Sequence, residues 1–255
     1  MDDHDPSRIQ FGELYPDIVE AGSLGAALGQ ILDTRTPSLT TASLDGARSY
    51  AYIARGIRAS QVSMALQERS FSASFWKNGV RYAHMRSSDL SETAHAIHIW
   101  LVDEPLLDDM QNRFPRIRET EIGRADENGE AREHQWVALH TAWQSARSYD
   151  DPSHSPLYLI EAGMKSPELR RLYPYTSLYR LCFRHGAGYP YQEDFPYAVP
   201  LGNGRYRAYS ANYRMELQTM DSGTVYECAI HDILGEGTAE EVIAMLVANL
   251  PPAGK

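Results

Sequence analysis

Residues 37–86 alternate between apolar and polar side chains with a period of two, and turn-forming pairs break the alternation into short runs. The turn pairs are Asp45-Gly46, Arg55-Gly56 and Asn78-Gly79. Asn-Gly is a strong hairpin signal because both residues tolerate a positive φ angle. The segment therefore predicts an antiparallel meander of about five strands, and one face of it is expected to carry Phe71, Ala73 and Phe75.

Amphipathic helices are expected on both sides of this meander. Residues 23–32 place Leu24, Leu28, Ile31 and Leu32 on one helical face. A second helix, capped by Ser88 or Ser91, carries a stripe of Leu90, Ala94, Ile97 and Leu101 before Pro105. Helices that cover one face of an antiparallel sheet bury its apolar side, so the pattern indicates an α+β fold.

The same order of elements recurs in the second half of the chain. A helix over about 133–149 and a short helix begun by Ser166-Pro167 precede several strands, predicted near 178–184, 196–200, 206–210, 215–220 and 224–230. The closing helix has a capping box, Thr238 and Glu241. We therefore predict two pseudo-repeated halves, residues 23–118 and 133–255, separated by a charged loop at 119–132 and preceded by an irregular arm at 1–22.

Charge and hydropathy exclude several classes of protein. The 255 residues carry a formal net charge of −10, which argues against nonspecific binding to nucleic acid or to an anionic membrane. The acidic start of the chain does not resemble a signal peptide, and no run reaches the roughly 18 apolar residues of a membrane span. A cytoplasmic location is expected, with Cys182 and Cys228 as buried thiols in strands.

Several local motifs resemble a family of uncharacterised bacterial proteins, mostly from antibiotic-producing lineages, that are linked to natural-product biosynthesis by gene neighbourhood. The resemblance covers about residues 24–252, and the motifs that carry it are Ile99-Trp100-Leu101, Phe114-Pro115, residues 167–177, Leu181–Arg184, Tyr189-Pro190, Asp194–Pro196, Gly204–Tyr206 and the closing helix. It implies a role in specialised metabolism. It implies no catalytic residues.

Nucleotide and metal cofactors are not expected. The chain has no glycine-rich nucleotide-binding loop, no nucleophile elbow and no His-Glu-x-x-His zinc motif. His95 and His98 share a helical face but lack a third ligand at matching spacing, so we expect no metal there. An enzyme of this kind would work without a dissociable cofactor.

The candidate site lies in residues 172–197, which concentrate tyrosines and titratable groups. In a strand at 178–184, Tyr179, Leu181 and Phe183 point one way, so Arg180 and Arg184 share the opposite face and could clamp a carboxylate or phosphate. The candidate acid–base residues are His185 and Asp194, and Tyr189 and Tyr191 could contact an apolar ligand. Trp136 and Trp143 are candidates for the wall of the pocket.

These residues leave two functions open, and the sequence does not decide whether the protein is an enzyme. The first is a cofactor-independent cyclase, isomerase or hydrolase that acts on a peptide or polyketide intermediate. The second is an accessory protein that holds a precursor peptide or a pathway enzyme. A closed cavity lined by Trp136 or Trp143, with His185 or Asp194 inside it, would favour the enzyme, and a flat or edge-exposed sheet would favour the accessory protein. A purely structural alternative pairs Arg184 with Glu193 or Asp194 across the turn.

Overall fold

Two units divide the chain, residues 1–129 and residues 130–255. The structure, a computed structural model, describes residues 12–33, 40–42, 49–146, 155–186, 195–219 and 225–252. The division falls inside the segment predicted as a charged loop. That segment is helical for much of its length, because Thr120 caps a helix at Glu121–Glu127 by accepting from the Gly123 amide.

The first unit is built on a meander whose strands, within the described residues, pair in chain order as a six-stranded antiparallel sheet. The strands are β1 (Thr40–Ala42), β2 (Tyr50–Arg55), β3 (Arg58–Met64), β4 (Phe71–Lys77), β5 (Val80–Ser87) and β6 (Arg118–Glu119). The predicted face is confirmed, since Phe71, Ala73 and Phe75 are buried while Ser72 is exposed. The Asp45-Gly46 turn lies outside the described residues.

Helices pack on the apolar face of this sheet and at its edges. They are α1 (Pro16–Ala21), α2 (Leu24–Asp33), α3 (Leu90–Val102), α4 (Leu107–Arg113) and α5 (Glu121–Glu127). The stripe predicted for α3 is buried, but its cap is Asp89 rather than Ser88 or Ser91. Asp89 accepts from the amides of Ser91 and Glu92, which a carboxylate does better than a hydroxyl because it also complements the helix dipole.

The segment predicted as an irregular arm contains a helix and a fully buried aromatic ring. The Tyr15 hydroxyl lies within 2.9 Å of the Ala65 carbonyl oxygen and accepts from the Ser70 amide at 2.9 Å. Two hydrogen bonds from Arg69, each 2.8 Å, hold Asp17 of α1 and lower the pKa of that carboxyl below its usual value. These contacts attach α1 to the β3–β4 turn.

Arg58 joins the sheet of the first unit to the end of α3. Its guanidinium is buried and donates to the carbonyl oxygens of Trp100 at 3.2 Å and Glu104 at 3.1 Å, and it lies 4.1 Å from the centroid of the Trp100 ring. The last carbonyls of a helix have no partner within it and carry a partial negative charge. Arg58 supplies both the missing donors and the opposite charge.

The second unit repeats the plan with five strands that, in the described part of the chain, pair antiparallel in chain order. The strands are β7 (Tyr173–Ser177), β8 (Arg180–Arg184), β9 (Tyr197–Gly202), β10 (Arg205–Thr219) and β11 (Val225–Gly237). The helices are α6 (Ala131–Ala146), α7 (Leu157–Met164), α8 (Pro167–Arg170) and α9 (Ala239–Ala248). The fold is thus α+β, with two pseudo-repeated halves.

One apolar core joins the helices of the second unit to one face of its sheet. Trp136 of α6, Ile160 of α7 and Val242 of α9 meet Leu181 and Phe183 of β8. A Cβ atom on Gly163 would lie 2.9 Å from Cη2 of Trp136, so only glycine lets the indole pack this close to α7. The predicted capping box of α9 is confirmed, with Thr238 and Glu241 bonded to each other's backbone.

Two strand predictions for the second unit were wrong. The segment before residue 178 was not assigned to a strand, yet Tyr173–Ser177 forms β7, and Leu178-Tyr179 is the turn that joins it to β8. The strands predicted at 206–210 and 215–220 are one strand, β10, interrupted by a bulge in which Ser210, Ala211 and Asn212 stand opposite Asp232.

We predict that Arg58→Ala lowers the free energy of unfolding of the first unit by about 3 kcal/mol, because charged hydrogen bonds are lost and buried carbonyls keep no donor. Hydrogen exchange of the α3 amides measures this effect in the first unit alone. Arg55→Ala is the control, since Arg55 is exposed and its hydrogen bond to the Leu101 carbonyl oxygen is long, at 3.4 Å. Equal effects of the two substitutions would contradict the role assigned to Arg58.

Candidate functional site

The β7–β8 hairpin separates apolar residues from arginines by strand alternation. Phe183 and Leu181 of β8 face the helices and are buried, with Pro174 and Thr176 opposite them on β7. Arg180, Cys182 and Arg184 therefore share the face opposite the helix–sheet core, which we call the uncovered face. The predicted placement of both arginines opposite Leu181 and Phe183 is confirmed.

The turn of this hairpin has an unusual backbone. Leu178 has a φ of 56° and is 81% exposed, and Tyr179 beside it is also exposed. Leucine rarely adopts this left-handed conformation because its Cβ crowds the following carbonyl. Tyr179, predicted to face the core with Leu181, instead lies in the turn, with its ring centroid 5.9 Å from that of Trp143.

A pocket of about 390 Å³ lies on the uncovered face of the second sheet. We call it the arginine–tyrosine pocket. Its lining combines two guanidiniums, a thiol, an imidazole and several aromatic rings, and the residues are Tyr175, Thr176, Ser177, Arg180, Cys182, Phe183, Arg184, Phe195, Tyr197 and His231. Such a lining suits a ligand with both an anionic group and an aromatic or apolar part.

The two arginines lean in opposite directions across the pocket. The Arg180 guanidinium lies 5.4 Å from the centroid of Tyr197 on β9, whereas that of Arg184 lies 4.6 Å from Tyr173 on β7. Residues four apart in a strand also have Cα atoms about 13 Å apart. The arrangement therefore favours two separate anionic groups, or an anion and an aromatic ring, over one carboxylate clamped by both arginines.

Tyr197 is the centre of the aromatic wall. Its ring stacks on Tyr209 with centroids 5.0 Å apart and an interplanar angle of 11°, and it meets His231 edge-on at 5.0 Å. The hydroxyl of Tyr209 accepts from Arg207 at 3.3 Å, and Arg207 forms a salt bridge with Glu236. The stacked pair of Tyr197 and Tyr209 thus has a guanidinium on each side, that of Arg180 beside Tyr197 and that of Arg207 beside Tyr209.

His231 is fixed by the bulge in β10. Its Nδ1 lies 3.0 Å from the carbonyl oxygen of Ser210, which only accepts hydrogen bonds, so Nδ1 carries the proton. In the neutral ring the lone pair is then on Nε2. Bulges often redirect a side chain beside a binding site, and this one places His231 at the pocket edge.

Only some of the predicted site residues come together. Arg180 and Arg184 line the pocket, while His185, at the end of β8, is exposed and packs edge-on against Phe195 with centroids 4.7 Å apart. His185 is not among the lining residues. Tyr189, Tyr191, Glu193 and Asp194 lie outside the described residues.

The two tryptophans are on the other side of the second sheet. Trp136 is fully buried in the helix–sheet core, and Trp143 lies 3.4 Å from the Thr176 hydroxyl through its indole nitrogen. Their helical spacing reflects packing of α6 on the sheet. The structure therefore does not bring either ring together with Arg180 and Arg184.

Eight of the ten lining residues were not among the predicted site residues, and the titratable ones of these eight are Tyr175, Cys182, Tyr197 and His231. Cys182 could have been found, because it alternates with the two arginines. Tyr197 requires the pairing of β8 with β9, and His231 requires the bulge, and neither is visible in a local pattern.

The described part of the chain contains neither a cluster of metal ligands nor a membrane-spanning helix. In the described ranges, no group of three or more His, Cys, Asp and Glu side chains is placed to hold a metal ion. His95 packs edge-on against Phe114 at 5.4 Å. No helix in that part of the chain has both the length and the apolar character needed to cross a membrane.

Comparison with known proteins concerns the second unit. A sequence model of a family of unknown function (DUF6193) matches residues 133–254. This range begins in α6, contains the whole second sheet and includes α9. The second half of the chain is similar to this family. No curated protein and no solved structure matches the chain.

We predict that neutral His231 is the Nδ1–H tautomer, because the Ser210 carbonyl can accept only from a protonated nitrogen. Nitrogen NMR of the imidazole ring distinguishes the two tautomers directly. His84, exposed on the open face of the first sheet, serves as the reference ring. A dominant Nε2–H form of His231 would contradict the hydrogen bond that fixes this side chain.

Proposed function

We propose that the second unit is a binding module that holds an elongated organic anion in the arginine–tyrosine pocket. The observation that carries the proposal is the placement of Arg180 and Arg184 on one uncovered sheet face, leaning apart over rings of neighbouring strands. A ligand with anionic groups at both ends and an aromatic or unsaturated middle would match this spacing.

The position of the pocket supports binding rather than catalysis. The pocket lies on the face of the sheet that the helices leave uncovered, and neither tryptophan lines it. Enzymes of acid–base type exclude water from the reacting groups to strengthen electrostatic interactions. The exposed His185 side chain lacks such an environment.

A tailoring enzyme is the second candidate, and His231 favours it. With Nδ1 bonded to Ser210, the neutral ring presents Nε2 as a base at the edge of the pocket. In this candidate Arg180 would hold an acidic peptide or polyketide intermediate, while His231 would take a proton in a cyclisation, isomerisation or hydrolysis without a dissociable cofactor.

The cellular context that we propose is cytoplasmic specialised metabolism, with a peptide or small-molecule intermediate as ligand and a pathway enzyme as a further partner. It rests on the resemblance to proteins linked to natural-product biosynthesis. The net charge of −10 agrees with partners other than nucleic acid or an anionic membrane.

We predict that a biphenyl dicarboxylate binds the protein and that its dimethyl ester binds at least tenfold more weakly. Arg180→Ala and Arg184→Ala should each weaken binding of the dicarboxylate at least tenfold, since a charged hydrogen bond contributes about 1.5–3 kcal/mol. Calorimetry measures both effects. Arg214→Ala is the control, because Arg214 pairs with Glu216 and Asp232 on the opposite face of β10. The proposed site is contradicted if the ester binds as tightly as the dicarboxylate, or if Arg214→Ala weakens binding as much as Arg180→Ala and Arg184→Ala do.

Deletion of the gene in its host separates the two candidate functions. A binding module should lower the yield of a metabolite without changing its structure, because the intermediate is held but not converted. Accumulation of a precursor with a different mass would instead support the tailoring enzyme, with the mass difference giving the reaction. Mass spectrometry of culture extracts measures both. An unchanged metabolite profile would contradict the proposed context.

A further inference from the structure

The long hairpin of β10 and β11 extends beyond the second sheet. Within the described residues, β10 pairs with β9 only over Arg205–Tyr209, whereas its pairing with β11 continues to Thr219. The part beyond the bulge is therefore a two-stranded ribbon, formed by residues 213–219 and 225–231. A two-stranded ribbon alone is marginally stable in water, so its side chains need a further surface to pack against.

One face of this ribbon is an apolar stripe. The cross-strand pairs Tyr213–His231, Met215–Ala229 and Leu217–Glu227 put their side chains on the same face. Tyr213 and Met215 are each 54% exposed and Leu217 is 71% exposed. The opposite face carries the Arg214–Glu216 and Arg214–Asp232 ion pairs. An amphipathic ribbon with its apolar face exposed is typical of an interaction surface.

The order of residues along the stripe is self-complementary. From the sheet outwards it reads Tyr213 and His231, then Met215 and Ala229, then Leu217 and Glu227, before the outermost pair of Thr219 and Val225. A two-fold axis that runs across the ribbon at Met215, perpendicular to the strands, places a second ribbon face to face with the first. The two ribbons then run in opposite directions, with β10 over β10 of the partner subunit and β11 over β11 of the partner subunit. Leu217 then meets Tyr213 of the partner subunit, and Glu227 meets His231 of the partner subunit. A symmetric dimer needs this kind of patch, in which each residue contacts its complement.

We propose that the apolar stripe binds the same stripe of a second copy of this chain, forming a two-fold dimer. A second copy fits this stripe because, across the two-fold axis, apolar side chains contact apolar side chains and Glu227 contacts the imidazole of the partner subunit's His231. The stripe is smaller than the roughly 800 Å² per partner of a typical stable interface, so the dimer is expected to be weak and dependent on concentration. The dimer also brings Glu227 of the partner subunit to the edge of the arginine–tyrosine pocket.

Sedimentation velocity of the full chain over a wide concentration range tests the dimer. We expect a reversible dimer, with Met215→Glu raising its dissociation constant at least a hundredfold because the charge lies on the two-fold axis. Gln218→Glu is the matched control, since it adds the same charge on the opposite face of the ribbon, and it should change the constant less than threefold. Hydrogen exchange of β10 and β11 establishes that both variants keep the hairpin.

A cross-linking experiment tests the register. Facing sheets are about 10 Å apart, so a short bis-maleimide of that span should join two copies of Met215→Cys with high yield. Leu217→Cys should react several-fold less with its own copy, because Tyr213 of the partner subunit stands opposite it. The unsubstituted protein gives the background from Cys182 and Cys228. A chain that stays monomeric, equal weakening by Met215→Glu and Gln218→Glu, or equal cross-linking at both positions would overturn the proposal.

Discussion

The alternation of side chains along β8 is the constraint on which the second unit depends. Leu181 and Phe183 are buried under α6, α7 and α9, and this burial supplies much of the free energy that holds helices to sheet. A shift of one residue in the pairing of β8 would bury Arg180 and Arg184 instead, at a large cost in desolvation. The packing of the core therefore also fixes the arginines on the uncovered face. The same register produces the stable core and the chemistry of the pocket.

A comparable link between packing and polar groups organises the first unit. The Trp100 indole donates to the carbonyl oxygens of Ala59 and Trp76, both at 3.2 Å, while Arg58 covers its ring and binds the end of α3. Burying an arginine is unfavourable unless its donors are satisfied. Here Nη1 and Nη2 of Arg58 donate to carbonyl oxygens at and just after the end of α3, while Nε has no hydrogen-bond partner in the described part of the chain. The carbonyls at the end of α3 thus gain donors from the sheet, and the buried guanidinium of β3 gains acceptors from the end of the helix.

The sequence predicted those features that depend on local pattern. The α+β class, the stripe of α3, the capping box of α9 and the arginine face of β8 each follow from periodicity or from a short motif. Features that depend on how the strands pair with one another were not predicted. β10 was divided in two because the bulge at 210–212 interrupts its alternation. Leu178 was assigned to a strand because nothing in its chemistry indicates a positive φ. Residues 121–127 were read as a loop because charge and glycine outweighed the Thr120 cap.

The bulge in β10 connects the two surfaces of the second unit. The bulge accommodates the extra residues of β10, positions His231 at the pocket and marks the start of the ribbon. The pocket and the apolar stripe therefore lie on the same face of the sheet. Tyr213 and Tyr197 both contact the His231 ring, at 5.4 Å and 5.0 Å between centroids. A group that binds at either surface must therefore contact or displace neighbours of the same imidazole. Because of this shared residue, occupation of the ribbon and occupation of the pocket are expected to influence each other.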